Sequence, residues 1–269
     1  MTSGPLYDSV VLAGQRSGVT ALSAMAEVTV DILVPVGGRP AIERVLSALQ
    51  ACNLVKPGIV VGPAHDILDA SEQIREVIRR YGATWLEPLG DPASSAIAGM
   101  ARLEPPLLVT TGDHALLTER MVDEFCEAAA AKAAPATNDL DVVVGLVPYE
   151  LVKSAYPDSR RTVLKFADGG LCGANLFFVR TEAGRRAFEF WCDLQQDRKR
   201  PVRIARRIGW GFLLSYALGR LTLASAMTTL SARAGCRIGA VRLQEPNAAV
   251  DVDSIEDWRL AQRIVGEAP

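Results

Sequence analysis

Three short stretches carry residue types that could act on a phosphorylated ligand. The first, Leu12-Ala13-Gly14-Gln15-Arg16-Ser17-Gly18, follows an apolar run at 10–13. Its small residues let backbone N–H groups approach phosphates, and Arg16 adds positive charge. The same pattern also fits a plain strand-to-helix turn that uses glycine for its backbone angles. The second, Leu107-Leu108-Val109-Thr110-Thr111-Gly112-Asp113, is an apolar strand that ends on a carboxylate. A divalent cation bridging phosphates needs such an oxygen ligand on a rigid support, although an Asx turn before Leu117 would read alike. The third, Asp251-Val252-Asp253-Ser254, sets two acids one residue apart at a helix entry. In an extended segment both acids turn to one side, and both would also complement the positive end of the helix dipole.

These stretches need a scaffold, and the apolar periodicity supplies one. Apolar runs at 10–13, 58–62, 84–87, 106–110, 141–147, 171–179 and 241–243 read as strands. A further apolar piece lies at 32–36. Helical spacing covers 40–52, where Ile42, Val45, Leu46 and Leu49 share a face, and then 70–81, 94–102, 121–134 and 182–194. Two or three helices follow over 201–234. A last helix spans 254–265, with Ser254 as its N-cap and Asp257 in its first turn. The order predicts an α/β fold, a doubly wound and mostly parallel sheet in which ligands bind beyond the carboxyl ends of the strands. One domain over 1–269 is expected, with a helical insertion at about 182–235 and an exposed loop edge at 135–139.

Bulk composition narrows the function classes. The chain has 269 residues, 49% of them hydrophobic, and a net charge of −2, so no overall positive field holds nucleic acid along its backbone. Five widely spaced cysteines suit reduced core thiols better than a disulfide framework, and residues 1–9 are short and polar, unlike a secretory signal. Both observations point to a cytoplasmic protein. Residues 208–227 are largely apolar over 20 positions, but Arg220 and three glycines interrupt them, so a buried helix pair is expected rather than a membrane span. His65 and His114 are not at metal-ligand spacing; His114 follows Asp113 and either lines the site or sits on a surface loop. No GxSxG elbow or CxxC pair is present, which disfavours hydrolase and zinc readings.

Taken in order, Leu12-Ala13-Gly14, Leu33-Val34-Pro35-Val36-Gly37-Gly38-Arg39-Pro40, Gly112-Asp113 and Asp251-Val252-Asp253-Ser254-Ile255-Glu256-Asp257-Trp258 resemble the nucleotidyltransferases of the molybdenum-cofactor guanylyltransferase type and their sugar-phosphate relatives. The resemblance covers nearly the whole chain and implies a Rossmann-like sheet of the nucleotide-diphospho-sugar transferase type. It implies that a phosphorylated small molecule or lipid precursor attacks the α-phosphate of a nucleoside triphosphate, with Mg²⁺ as cofactor and pyrophosphate as the leaving group. Carried over by position, Leu12, Ala13 and Gly14 hold the nucleotide, Arg16 faces the triphosphate, and Asp113 and Asp251 hold the metal, with Asp253 in reserve. Ser94 and Ser95 fall where relatives place a loop that contacts base and ribose. Arg160, Arg161 and Lys165 match the segment facing the acceptor phosphate, and Asn175 would orient a hydroxyl; a solvated hairpin is the plainer reading of the same residues.

Two positions depart from the family pattern. Asp31 stands where relatives commonly carry a lysine, and Gln15 replaces the second glycine of the loop. A carboxylate in the place of an ammonium removes charge stabilisation at the α-phosphate unless another cation compensates. A catalytically impaired nucleotide-binding or regulatory protein is therefore the alternative, and a nucleotide-sugar glycosyltransferase of related fold is a third reading. Finally, Arg198, Lys199, Arg200, Arg203, Arg206 and Arg207 directly precede Trp210, Phe212, Leu213, Leu214 and Tyr216. Such a stretch at 198–216 fits either a solvated helix face or peripheral contact with an anionic membrane, which would suit a lipid-linked acceptor.

Overall fold

The computed structural model describes residues 6–15, 18–132, 140–197 and 199–266. Val10 and Val11 point to opposite faces of strand β1 (Asp8–Leu12), and both are fully buried. A strand with both faces covered is what a doubly wound sheet requires. Helix α1 (Ala21–Met25) and a small hairpin follow, β2 (Pro35–Val36) paired with β3 (Arg39–Pro40). Gly37 and Gly38 close that hairpin at φ 57° and 76°, a consecutive left-handed pair that side-chain-bearing residues rarely adopt. The apolar piece expected at 32–36 therefore joins a hairpin outside the main sheet, entered through a 3-10 turn at Asp31–Leu33.

Helix α2 (Ala41–Ala51) buries Ile42, Val45, Leu46 and Leu49, as its spacing predicts. It leads to β4 (Ile59–Val61), α3 (His65–Ala70), α4 (Glu72–Arg80), β5 (Thr84–Leu86), α5 (Pro92–Met100) and β6 (Leu107–Thr111). The helix expected at 70–81 is α4, which starts after its N-cap Ser71, whose hydroxyl accepts from the Ile74 N–H at 3.4 Å; α3 before it was not anticipated. Next come α6 (Glu119–Lys132), β7 (Val142–Pro148), α7 (Tyr149–Ala155), β8 (Leu164–Phe166) and β9 (Gly169–Val179). Helices α8 (Arg185–Gln196), α9 (Pro201–Ile208), α10 (Trp210–Ala217) and α11 (Leu223–Ala234) form the C-terminal helical part, before β10 (Ile238–Arg242) and α12 (Ile255–Gly266). The loop edge expected at 135–139 lies outside the described residues.

The strand order is β10-β7-β9-β6-β1-β4-β5, with β8 hairpinned onto β9, eight strands among the described residues. All neighbours run parallel except those of β9, which is antiparallel to β6, β7 and β8. Alternate residues feed two apolar layers. Val11, Val60, Leu108 and Phe178 meet α2, α4 and α6 through Leu46, Ile74 and Phe125. Val10, Val61 and Val109 meet α5 and α8 through Met100 and Phe188 on the other face. Each fully buried phenylalanine here contributes about 2–3 kcal/mol of transfer free energy. A third cluster joins Val34 and Val36 to Ala115, Leu116, Val250, Val252, Leu260 and Ala261. It fixes the last part of the chain against the carboxyl end of β6.

All five cysteines are free thiols, and Cys52, Cys126, Cys172 and Cys236 are buried. Among the described residues no helix is long and apolar enough to cross a membrane. The apolar stretch 208–227 divides into α10 and the start of α11, separated at Gly219. The pair is not buried as expected, for α10 leaves Trp210 and Leu214 exposed because only one of its faces meets the protein.

Candidate active site

Strands β1 and β6 pair in register, Leu12 opposite Thr111, so their carboxyl ends are level. Beyond that point the Gly112 N–H donates to the Leu12 carbonyl (2.8 Å), and the Ala13 N–H donates to the Val61 carbonyl (2.8 Å). Leu12 and Ala13 therefore give these groups to the scaffold, and Gly14 is the exposed residue of the expected nucleotide trio. Position 112 is tightly enclosed by side chains. A Cβ there would lie 2.9 Å from Ile42 Cδ1 and 3.4 Å from Ala13 Cβ. Arg16 lies outside the described residues.

The acidic segment docks directly on this junction. The Val252 N–H donates to the Asp113 carbonyl (3.0 Å) while the Val252 side chain is buried in the third cluster, which leaves Asp251 and Asp253 on the opposite side. Of the two, Asp253 is the acid whose charge bears more strongly on the Asp113 carboxyl. Burial, then the charge of Asp253 and that of Asp251, pushes the Asp113 carboxyl up to about 7, against the opposing Thr111 hydroxyl bond at 2.5 Å. The Asp253 carboxyl is raised too, by desolvation and then by Asp251 and Asp257. His114 is not on a surface loop. Its ring is buried beneath the site, and that burial lowers its pKa to about 4, so it is neutral at pH 7.

Asp251 is engaged elsewhere, which alters the expected metal pair of Asp113 and Asp251. Its carboxylate takes the Arg161 Nη1 at 2.6 Å and the Asn175 Nδ2 at 3.2 Å. The second guanidinium nitrogen of Arg161 pairs with Asp257, and the Arg161 side chain is only 7% exposed. Ser254 caps α12 as predicted, accepting from the Asp257 N–H at 3.2 Å and donating to its carboxylate at 2.6 Å. Asn175 reaches Asp251 from a left-handed backbone, φ 49°, where the register of β9 against β7 shifts. Among the described residues no group of three or more His, Cys, Asp and Glu side chains is arranged to hold a metal ion.

A cavity of about 650 Å³ opens beside these acids, lined in part by Arg160, Arg161, Asn175, Trp191, Asp251 and Asp253. Three of the four expected acceptor residues are thus brought together. Lys165 does not line it; it sits exposed on β8, its backbone N–H on the Tyr216 hydroxyl at 3.2 Å. A second cavity of about 820 Å³ adjoins, between the 155–160 segment and α12. Ser94 and Ser95 serve the start of α5. Asp91 caps Ser94, whose hydroxyl returns a bond to Asp91 at 2.6 Å, while the buried Ser95 hydroxyl accepts from the Leu89 N–H at 2.9 Å.

The two departures from the family pattern are partners of each other. Gln15 Oε1 accepts the Asp31 N–H at 2.7 Å, and Gln15 Nε2 donates to the Gly18 carbonyl at 3.0 Å. The Asp31 carboxylate in turn accepts the hydroxyl of Thr20, the N-cap of α1, at 2.5 Å. Sequence reading noted each substitution alone and missed their bond. The pairing of Asp257 with Arg161 was likewise not foreseen, since its first-turn position already accounts for an acid there.

Comparison with known proteins agrees with this layout. The profile described as MobA-like NTP transferase domain matches residues 9–161. No curated protein sequence matches the chain. Among solved structures, a hypothetical transferase from Thermus thermophilus is 29% identical with a TM-score of 0.73, covering 94% of this chain and 100% of its own. The CMP:2-keto-3-deoxy-manno-octonic acid synthetase complexed with CTP is similar at 12% identity and a TM-score of 0.56, over 97% and 99% of the two chains. The 4-diphosphocytidyl-2C-methyl-D-erythritol synthase of Anaerococcus prevotii is similar at 12% identity and a TM-score of 0.54, also over 97% and 99%. The last two likenesses concern the fold. With its family segment beginning in β1 and running through Asp113 to Arg161, the chain belongs to the MobA-like NTP transferase family and is a nucleotidyltransferase.

Proposed function

We propose that this nucleotidyltransferase joins a nucleoside monophosphate unit to a phosphorylated acceptor. A phosphate oxygen of the acceptor attacks the α-phosphorus of a nucleoside triphosphate, the bond from that phosphorus to the bridging oxygen breaks, and pyrophosphate leaves with the electron pair. The observation that carries this reading is the placement of Gly14 and Asp113 just past the level ends of β1 and β6, with the charge of Asp253 bearing on Asp113, next to a cavity lined by Arg160, Arg161 and Asn175. Nucleotide and acceptor would then approach from the two sides of one acidic pair.

The residues present fit Mg²⁺. Their donors are hard carboxylate oxygens, and a hard cation would offset both the burial that disfavours the Asp113 carboxylate and the neighbouring charges of Asp253 and Asp251. Asp113 and Asp253 would hold the ion, with Asp251 beside them. When bound, the ion supplies positive charge against the triphosphate and the pyrophosphate that forms. Two protein carboxylates suffice for Mg²⁺, which commonly completes its shell with water and substrate phosphate. Asp251 holds Arg161 at the cavity wall, where the guanidinium would orient the acceptor phosphate, and Arg160 is exposed at its mouth.

One observation favours a second reading, a nucleotide binder with little turnover. Asp31 places a carboxylate, fixed by Thr20, at the position where relatives carry a lysine. Incubating the protein with each nucleoside triphosphate, Mg²⁺ and a panel of phosphorylated acceptors, and measuring pyrophosphate, separates the two. Acceptor-dependent pyrophosphate supports transfer. Tight nucleotide binding without pyrophosphate from any acceptor supports the binder.

A further inference from the structure

The basic run before α10 has no part in the site just described, and its surroundings are unusual. Ten of the chain's 29 basic residues and none of its 31 acids fall within 198–244. The rest of the chain is therefore strongly acidic, and this segment is a local positive field on a protein of net charge −2. Four of its cations are neutralised: Arg207 by Asp193 and Asp197 at 2.6 and 2.8 Å, Arg203 by Asp197 at 3.5 Å, Arg237 by Asp141 at 3.3 Å and Arg242 by Asp168 at 2.9 Å. Among the described residues no ion pair engages Lys199, Arg200, Arg206 or Arg220, and all four are exposed.

Within this field α10 turns an apolar face outward. Trp210, Leu214, Ala217 and Leu218 recur at helical spacing, and Trp210, Leu214 and Leu218 are 65%, 61% and 57% exposed. Val202 on α9 is exposed as well, at 56%. The opposite face of α10 rests on the β8–β9 hairpin. Tyr216 packs edge-on against Phe166 with ring centroids 6.3 Å apart, and its hydroxyl accepts the Lys165 N–H. The hairpin turn is bonded to the end of this unit, Ala167 N–H to the Leu221 carbonyl at 2.8 Å and Leu223 N–H to Asp168 at 2.9 Å. Leu164 and Gly173 of the same hairpin line the acceptor cavity. The apolar face and the cavity therefore belong to one rigidly joined unit.

We propose that α9 and α10 dock on an anionic lipid surface, and that the acceptor phosphate is presented by a molecule held in that surface. A tryptophan and leucines that enter the headgroup region, ringed by cations that face anionic phosphates, match the chemistry of an interfacial helix. A second copy of the chain fits less well, because two like-charged faces would meet. The docking stands on the surface alone, whereas the acceptor class rests on the nucleotidyl-transfer reading.

Flotation of the full chain with vesicles of phosphatidylcholine and phosphatidylglycerol, against phosphatidylcholine alone, tests the docking without nucleotide. The protein rises with the anionic vesicles at low salt and is released at high salt. Trp210→Ser with Leu214→Ser, or Arg200→Glu with Arg206→Glu, lowers the bound fraction by about tenfold or more. Turnover of a water-soluble phosphorylated acceptor stays unchanged in both pairs. No flotation with anionic vesicles overturns the proposal, as does a concentration-dependent dimer that the Trp210 and Leu214 changes dissolve. Vesicle binding without pyrophosphate from any acceptor would instead remove the transfer reading and keep the docking.

Discussion

The two sides of the site hold their polar groups in different ways. On the nucleotide side, Gln15, Gly18, Thr20 and Asp31 are joined by hydrogen bonds that carry no formal counter-charge. On the acceptor side, Arg161 lies between Asp251 and Asp257 with its side chain almost wholly enclosed. Hydrogen bonds of the first kind are worth about 1 kcal/mol each and can rearrange when a ligand arrives. Breaking a buried ion pair from one side strands a charge and costs several times more. The hydrogen bonds around Gln15 and Asp31 are thus suited to adapting on the proposed nucleotide side, and the Arg161 pairs to holding the proposed acceptor wall in place.

The acids between the two sides test the comparison most severely. Asp113→Asn is expected to reduce acceptor-dependent pyrophosphate release by about a hundredfold or more, the scale seen when a group that stabilises transition-state charge is removed. Thermal stability should not fall, because an amide avoids the cost of burying a carboxylate there and the repulsion from Asp253 and Asp251. A variant with normal turnover would break the assignment of Asp113.

Arg161→Ala probes the rigid side. It leaves Asp251 and Asp257 facing each other, and urea unfolding should show a loss of about 3 kcal/mol, with Arg161→Lys recovering part of it. If the loss is no larger than for a surface pair, the acceptor wall is not rigid in the sense drawn above.

An ion-paired carboxylate away from the site provides the control. Burial pushes the Asp141 carboxyl up, but the Arg237 backbone and side chain and the Thr181 hydroxyl outweigh it and hold the group below its ordinary value. A carboxylate lowered in the folded state stabilises it above the unfolded pKa, near 4, and that stability fades as pH falls through the folded value. Asp141→Asn should therefore cost about 2 kcal/mol at neutral pH and little in strong acid. Parallel melts of the two proteins across that range check the sign.

The smallest effect is expected on the adaptable side. Gln15→Ala removes one bond to Asp31 and one to Gly18, and should cost about 1 kcal/mol or less while raising the KM for nucleotide more than it changes kcat. A dominant fall in kcat would show that the loop is as rigid as the acceptor wall.

Much of this layout was legible before any coordinates. The run at 10–13, the strand ending at Thr111 and the Ser254 cap each follow from neighbours in sequence, and each is where the periodicity put it. The helix at 70–81 is α4, whereas α3 just before it was not anticipated, because six residues with none buried carry no apolar periodicity. The hairpin at β8 was weighed only as the plainer reading of the acceptor segment, and α7 was not anticipated, since seven residues give periodicity little to act on. The exposed face of α10 was misread as buried, because a helix apolar all round looks the same whether or not a neighbour covers it.

What the sequence determined alone is therefore the set of parts: parallel strands buried on both faces, a glycine-bearing loop after the first of them, and acids at two later element ends. Those features arise from interactions within a few residues, and hydrophobic spacing records them. The tertiary structure decided the pairings, with Arg161 between Asp251 and Asp257 and Gln15 on Asp31, and it made the charge of Asp253 bear more strongly on Asp113 than that of Asp251. It also decided that β9 runs against its neighbours. Residues so far apart in sequence meet only when sheet order and register bring them together, and neither is written in the periodicity of a single strand or helix.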